Sequence, residues 1–254
     1  MAGDEQLTDF GYEQVGRHEK SARVREVFDS VAPRYDLMND LMSLGLHRAW
    51  KRIAVARCGH LKGRSVLDLA GGTGDLVRLL APRVGPEGTV VLSDINGAML
   101  ARGRDRLLDA GITVPVTLCQ IDAERLPFAD GSFDLLTIGF GLRNVTDKMA
   151  ALREMHRVLR PGGMAMILEF SRPNPLIAPA YDLYSFAVLP ALGGAVARDA
   201  GSYRYLAESI RRHPDQKTLC QMMMDAGLER CRYINLSGGI VAVHTGYRLQ
   251  GSGC

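Results

Sequence analysis

The 254-residue chain holds one tryptophan, and its five cysteines (58, 119, 220, 231 and 254) include no CxxC pair. An odd, scattered set of thiols fits a reducing compartment better than a disulfide framework. Long apolar runs are also missing. The longest, Phe186 to Ala197, covers 12 residues and is interrupted by Pro190 and Gly193-Gly194, whereas a membrane-spanning helix needs about 20. The opening MAGDEQLTDFGYEQV is acidic and polar, unlike a secretory signal. No charge of one sign dominates: 31 basic residues against 28 acidic leave +3, too even a balance for a nucleic-acid-binding protein. A hydrophobic content of 46% excludes disorder for most of the chain. The expectation is a soluble protein, or one that touches a membrane only at its surface.

Residues 1–17 are polar without a clear period and are expected to be flexible. From His18 to Ser43 apolar residues recur at helical spacing (Val24, Val27, Phe28, Val31) up to a break at Pro33, and a second helix is expected from about His47 to Arg57. Residues 18–60 therefore read as a helical N-terminal extension covering the site. The texture then changes. SVLDL (65–69), TVVLSD (89–94), VPVTLCQ (114–120), FDLLTI (133–138) and GMAMILEF (163–170) read as strands separated by the helical segments 75–83, 97–108 and 147–159. That alternation indicates an α/β protein, a parallel sheet with helices on both faces. Residues 172–213, proline- and tyrosine-rich with an apolar middle, break the rhythm and read as an insertion. After a helix at 215–226, LERCRYINLS and IVAVHTGYRL flank Gly238-Gly239, a hairpin signal. The domain 61–249 is thus expected to be a mostly parallel sheet with an antiparallel last strand, followed by a tail at 250–254.

The informative stretch is Val66-Leu67-Asp68-Leu69-Ala70-Gly71-Gly72-Thr73-Gly74-Asp75. A strand running into a glycine-rich turn that opens a helix lets a ligand approach the backbone closely. The dinucleotide fingerprint GxGxxG fails here in both registers: from Gly72 it meets Val77, and from Gly71 it meets Thr73. An NAD-dependent dehydrogenase is disfavoured. The turn carries acids instead, Asp68 and Asp75. Carboxylates there suit a cationic ligand without phosphate, such as S-adenosylmethionine (SAM), with its sulfonium and amino group. Asp94 ends the second strand of the series, 20 residues past Gly74, where a carboxylate can accept both ribose hydroxyls. Asp122-Ala123 follows the third and would hold the adenine edge.

This pattern resembles the class I SAM-dependent methyltransferases, whose Rossmann-like fold has a seven-stranded sheet. Two further stretches narrow the resemblance. Tyr35-Asp36-Leu37-Met38-Asn39, followed by Ser43, Gly45, His47 and Trp50, is similar to the N-terminal signature of the ubiquinone/menaquinone biosynthesis C-methyltransferase family (UbiE/MenG type). Arg157-Val158-Leu159-Arg160-Pro161-Gly162-Gly163, leading to Ile167, Leu168, Glu169 and Ser171, is similar to its second signature. Gly141-Leu142-Arg143-Asn144-Val145 and Ser202-Tyr203-Arg204-Tyr205-Leu206 also match, so the likeness runs from about residue 18 to 249. It implies SAM contacts at Thr73, Asp94, Asp122-Ala123 and Gly139, the last at a position where the family often has serine. The loss of that hydroxyl leaves only the backbone to make a contact.

The resemblance implies a prenylated ring as acceptor, either a methoxy-benzoquinol or demethylmenaquinol. An electrophilic quinone will not attack a sulfonium methyl, whereas a quinol that loses a phenolic proton pushes charge onto the adjacent ring carbon. On this reading Arg143 stabilises the phenolate and Asn144 bonds the other ring oxygen. Arginine stays charged in proteins, so the proton is expected to leave through water, with Asp36 and His47 as candidate acceptors. Tyr35, Asp36 and Tyr203 are candidate pocket residues, while Met38 and Trp50 read as core. The insertion 172–213 is expected to take the prenyl tail, either against the inner face of a membrane in a cytoplasmic protein or within a homodimer contact. Two other readings remain: a methyltransferase for another phenolic or sterol-like acceptor, and a non-catalytic scaffold in a quinone-biosynthesis complex.

Overall fold

The computed structural model describes residues 7–31, 39–40, 43–188 and 200–249. Seven strands form one sheet in the order β5-β4-β3-β6-β7-β9-β8. Here β3 is Ser65–Leu69, β4 Thr89–Asp94, β5 Val116–Gln120, β6 Phe133–Gly139, β7 Leu159–Phe170, β8 Glu229–Leu236 and β9 Val241–Tyr247. β9 runs antiparallel to both neighbours, and the other pairings are parallel. The expected fold class holds. β7 begins earlier than the apolar run suggests, because Leu159 already pairs with Phe133 before a register shift brings Met164 opposite Leu135.

Strand alternation divides the core into two layers. On β3, Val66 packs on one face with Val55, Leu76 and Leu80, while Leu67 and Leu69 pack on the other with Leu152, Met155 and Met223. The first layer holds α2 (His47–Ala56), α3 (Asp75–Val84) and α4 (Gly97–Asp109), and the second holds α5 (Lys148–Val158) and α8 (Gln216–Asp225). Side-chain caps fix where three of these helices begin. Asn96, Asp147 and Asp215 accept from the backbone N–H of Met99, Ala150 and Thr218 at 2.8–3.0 Å.

The N-terminal residues depart from expectation. Residues 7–16 are not a flexible lead but a hairpin, β1 (Leu7–Phe10) paired with β2 (Glu13–Gly16). Four-residue strands are too short to show a period in sequence, and a lone hairpin is marginal in water. Long-range contacts hold this one: Phe10 stacks on Tyr205 with ring centroids 4.2 Å apart, and the Tyr12 N–H donates to Glu208. Helix α1 (Arg17–Val31) follows directly, its Lys20 buried with Nζ donating to the Val145 carbonyl at 3.2 Å. Within the expected insertion lie α6 (Ala178–Leu183), a π-helical turn (Tyr184–Val188) and α7 (Ala200–Arg212). The apolar centre beyond Val188, the Pro33 break and the 250–254 tail lie outside the described residues. Among the described residues no helix is long and apolar enough to cross a membrane.

Candidate active site

A cavity opens at the C-terminal ends of β3, β4, β5 and β6, where connections leave β3 toward one side of the sheet and β6 lies on the other. Such a reversal point is where open α/β sheets bind ligands. Ala70 and Gly72 line it from the β3 turn, Asp94 and Asn96 from β4, Asp122, Ala123 and Glu124 from β5, and Phe140, Gly141 and Asn144 from β6. Helix α1 roofs it with Ser21, Val24, Arg25 and Phe28. Asn96 ties that roof down, its Nδ2 donating to Asp29 Oδ1 at 2.7 Å.

The glycine turn is shaped by what lies beneath it. Gly72 adopts φ +55°, and its N–H donates to Asp94 Oδ2 at 2.9 Å. A Cβ on Gly71 would fall 2.4 Å from Leu92 Cδ1 and 2.5 Å from Asp68 Oδ2, so packing rather than backbone angle demands glycine there. Gly74 caps the start of α3. Ala70 and Phe140 carry side chains at φ +47° and +59°, uncommon for residues other than glycine. These two left-handed residues end neighbouring strands and both face the cavity.

Neither of the two acids expected to meet a cation, Asp68 and Asp75, is on the wall, which instead carries the acid expected at the ribose, Asp94. Its oxygens accept from the N–H groups of Gly72 and Asn96 at 2.9 and 2.8 Å. Burial pushes its carboxyl above the usual range, and those backbone bonds pull against the shift. Asp75 is already neutralised: Lys51 Nζ lies 2.6 Å and Arg106 Nη2 2.9 Å from it. Arg106 also donates to the Thr73 hydroxyl at 2.5 Å, so the Thr73 side chain braces the turn instead of facing the cavity. These partners come from other helices, and no local spacing announces them.

Asp68 is fully buried under the turn. One oxygen accepts from Thr137 Oγ1 at 2.5 Å, across the β3–β6 register, and Oδ2 has no partner among the described residues. Burial raises its carboxyl to about 7. A folded-state value above the unfolded one of about 3.9 stabilises the fold fully below pH 4, and that contribution is lost as pH rises toward 7. Asp68→Asn, which does not titrate, is therefore expected to gain melting temperature relative to wild type as pH rises from 5 to 8. A parallel pair of pH–stability curves would contradict this.

Arg143 is corrected from wall residue to buried anchor. Its guanidinium is 4% exposed, donates to Glu169 Oε1 at 3.0 Å and to the Phe140 carbonyl, and is not among the residues lining the cavity. Glu169 also accepts from the Arg143 and Phe170 N–H groups. The reason is topological: β6 and β7 are neighbours, which brings residues 143 and 169 together. Asn144, next in the same short turn (Leu142–Asn144), does line the cavity, and its Oδ1 accepts from Tyr205 at 3.1 Å.

Tyr203 is likewise corrected. It is 1% exposed in the first core layer and does not line the described cavity. The neighbouring Tyr205 makes the contact to Asn144. Gly139 lies one residue behind the wall, and a Cβ there would meet Leu76 Cδ1 at 2.8 Å, so a serine would displace Leu76. His47 Nε2 is 3.0 Å from Asp40 Oδ1, in a separate recess with Lys51 and Arg78. Burial lowers its pKa, and it does not reach the cavity wall. Tyr35, Asp36 and Met38 lie outside the described residues. Trp50 is core as expected, with Nε1 donating to Ser237 Oγ at 2.9 Å.

The strand order and its antiparallel β9 define a class of protein, and solved structures agree on that fold. A SAM-dependent methyltransferase from Aquifex aeolicus superposes with a TM-score of 0.57 at 17% identity, over 78% of this chain and 89% of the other. The CurJ carbon methyltransferase gives 0.53 at 14% identity over 75% and 50%. The fold is that of the SAM-dependent methyltransferases.

Sequence takes the assignment further. The model of the ubiE/COQ5 methyltransferase family matches residues 16–248, and the chain belongs to that family. Three relatives carry the name ubiquinone/menaquinone biosynthesis C-methyltransferase UbiE. The Methylococcus capsulatus protein is 61% identical over 96% of this chain and 99% of its own. The Hahella chejuensis protein is 59% identical over 95% and 97%, and the Coxiella burnetii protein 58% over 98% and 100%.

Proposed function

We propose that the protein transfers a methyl group from SAM to a ring carbon of a prenylated quinol in ubiquinone or menaquinone biosynthesis. The observation that carries this reading is the cavity's polarity, with a carboxylate at the β4 end and an amide, Asn144, beside the aromatic ring of Phe140 at the β6 end. The first suits a nucleoside and the second a ring bearing oxygens. The match with named C-methyltransferases over nearly the whole chain supports it.

The residues fit SAM. Asp94 is placed to accept the ribose hydroxyls, Asp122-Ala123 to bond the adenine edge, and the left-handed Gly72 to let the ligand lie against bare backbone. When bound, SAM supplies an electrophilic methyl on a sulfonium. The chain's task is to present an electron-rich carbon in line with it and to exclude water. Asn144 donates to one ring oxygen through its amide N–H, because Tyr205 already donates to its Oδ1 and so fixes the flip. Arg143 acts as a positioning residue: by holding the Phe140 carbonyl it sets the turn that presents Asn144 and the Phe140 ring. The insertion offers apolar side chains for the prenyl tail, Leu183 and Phe186 being exposed.

The test is transfer of labelled methyl from SAM to the methoxy-benzoquinol and to demethylmenaquinol, each offered as quinol and as quinone. Label entering only the reduced rings is the expected result, and the ratio identifies the pathway served. No transfer to either ring with SAM bound would move the protein to another acceptor or to a scaffold.

A further inference from the structure

Between Asp40 and Asp68 the chain has no Asp or Glu, yet it carries Arg48, Lys51, Arg52, Arg57, Lys62 and Arg64. That local excess of six positive charges exceeds the +3 of the whole protein. The fold sorts this segment by face. On α2, Trp50, Lys51, Ala54 and Val55 are buried, and Arg48, Arg52 and Ile53, with Arg57 just past its end, are exposed. Arg48 pairs with Asp40, Lys51 with Asp75 and Arg64 with Asp134. Arg52, Arg57 and Lys62 make no ion pair among the described residues. Ahead of the helix the turn at Leu44–Leu46 projects two leucines, 74% and 45% exposed, and Ile53 is 39% exposed beside the arginines.

We propose that this outward face of α2, with the Leu44–Leu46 turn, docks on an anionic lipid bilayer. The unpaired arginines match acidic headgroups, and aliphatic side chains at the tip of a turn gain by passing between them. A nucleic acid would answer the charge but leave the leucines facing phosphate. A second copy would set cation against cation. Beside the apolar residues of α6 and the π turn, the arginine found among the described residues, Arg211, is paired with Asp182.

Docking through α2 also has a geometric consequence. The inner face of the same helix touches the cavity wall: Lys51 Nζ lies 5.9 Å and the Trp50 ring 6.3 Å from the Phe140 ring. The cavity's acceptor end is thereby held near the bilayer. This purpose rests on the prenylated acceptor proposed above, whereas the docking itself does not.

The experiment is flotation of the full chain with phosphatidylcholine vesicles, with or without about 30% phosphatidylglycerol. Binding is expected only with the anionic lipid and is expected to vanish at about 0.5 M salt, where screening is severe. The double variant Arg52→Glu/Arg57→Glu is expected to bind about 25-fold or more weakly, at about a fivefold loss per positive charge removed. Leu44→Asn/Leu46→Gln is expected to weaken binding while leaving its salt dependence intact, and Leu183→Ser/Phe186→Ser to leave it unchanged.

All six positions are exposed, and a melting curve confirms folding. Methyl transfer to a short-chain, water-soluble quinol is expected to stay at wild-type level in the arginine variant, and transfer to a long-chain quinol in anionic vesicles to fall with binding. Unchanged flotation of the arginine variant overturns the proposal. So does loss of flotation in the α6 variant alone, or capture of duplex RNA in preference to vesicles. If wild type methylates neither quinol, the reading of function fails and flotation still decides the surface.

Discussion

Glu169→Ala is expected to lower the melting temperature by about 10 °C and to remove most activity while SAM still binds. Glu169 is 1% exposed, and it satisfies Arg143 Nη1 and two backbone N–H groups. Removing one partner of a buried ion pair costs about 3–5 kcal/mol because the other charge is left uncompensated, and each kcal/mol moves the midpoint of a chain this size by about 2–4 °C. Phe170 gives partial relief, its ring 5.5 Å below the Arg143 guanidinium. The activity loss follows from the turn: Arg143 holds the Phe140 carbonyl and is followed directly by Asn144. Thermal unfolding checks the first effect, and comparison of kcat with the SAM Kd checks the second. A midpoint shift below about 3 °C would place the pair with ordinary surface ion pairs. A weakened SAM Kd with unchanged kcat would refute the positioning role.

Asp94→Ala is expected to give a different profile, with a smaller loss of stability than Glu169→Ala and SAM affinity reduced about 100-fold or more. Hydrogen bonds to a charged group contribute about 1.5–3 kcal/mol each, and the two ribose hydroxyls would lose both. The Gly72 and Asn96 N–H groups lose their acceptor, but no opposite charge is left buried alone, and burial already disfavours the charged carboxylate. Titration calorimetry with SAM checks this, and a Kd within about threefold of wild type would remove Asp94 from the ribose site. The two substitutions together separate the nucleoside end of the cavity from the acceptor end.

The difference between these residues also marks what sequence can reveal. That Asp94, Gly72 and Asp122-Ala123 line one cavity is legible because each sits at a strand end, and strand ends follow from local alternation. The pairing of Arg143 is not legible, because its partner lies 26 residues away on a strand whose adjacency only the sheet order supplies. Thr73 and Asp75 mislead for the same reason: Arg106 and Lys51 arrive from helices α4 and α2. Tyr203 and Tyr205 are two residues apart on one helix, so a motif that contains both cannot say which one faces Asn144. The hairpin at 7–16 escapes notice because its stability comes from Tyr205 and Glu208, nearly 200 residues downstream.

The left-handed backbone at Ala70 and Phe140 makes these positions a trap for protein engineering. Glycine at either would relieve about 1–2 kcal/mol of backbone cost; at 70 only a methyl group is lost in exchange, so a screen that rewards thermostability alone will favour it there. At 140 that choice deletes the ring that Trp50, Phe170 and Lys51 surround. At 70 it removes the methyl group that would lie 2.6 Å from any Cβ placed on Gly141, opening residue 141 to drift. Ala70 therefore holds its side chain against the folding preference of the chain, whereas the packing of the Phe140 ring, at about 3–5 kcal/mol, outweighs the backbone cost of its position, and hardened variants drawn from such a screen would tend to have lost the fit between residues 70 and 141.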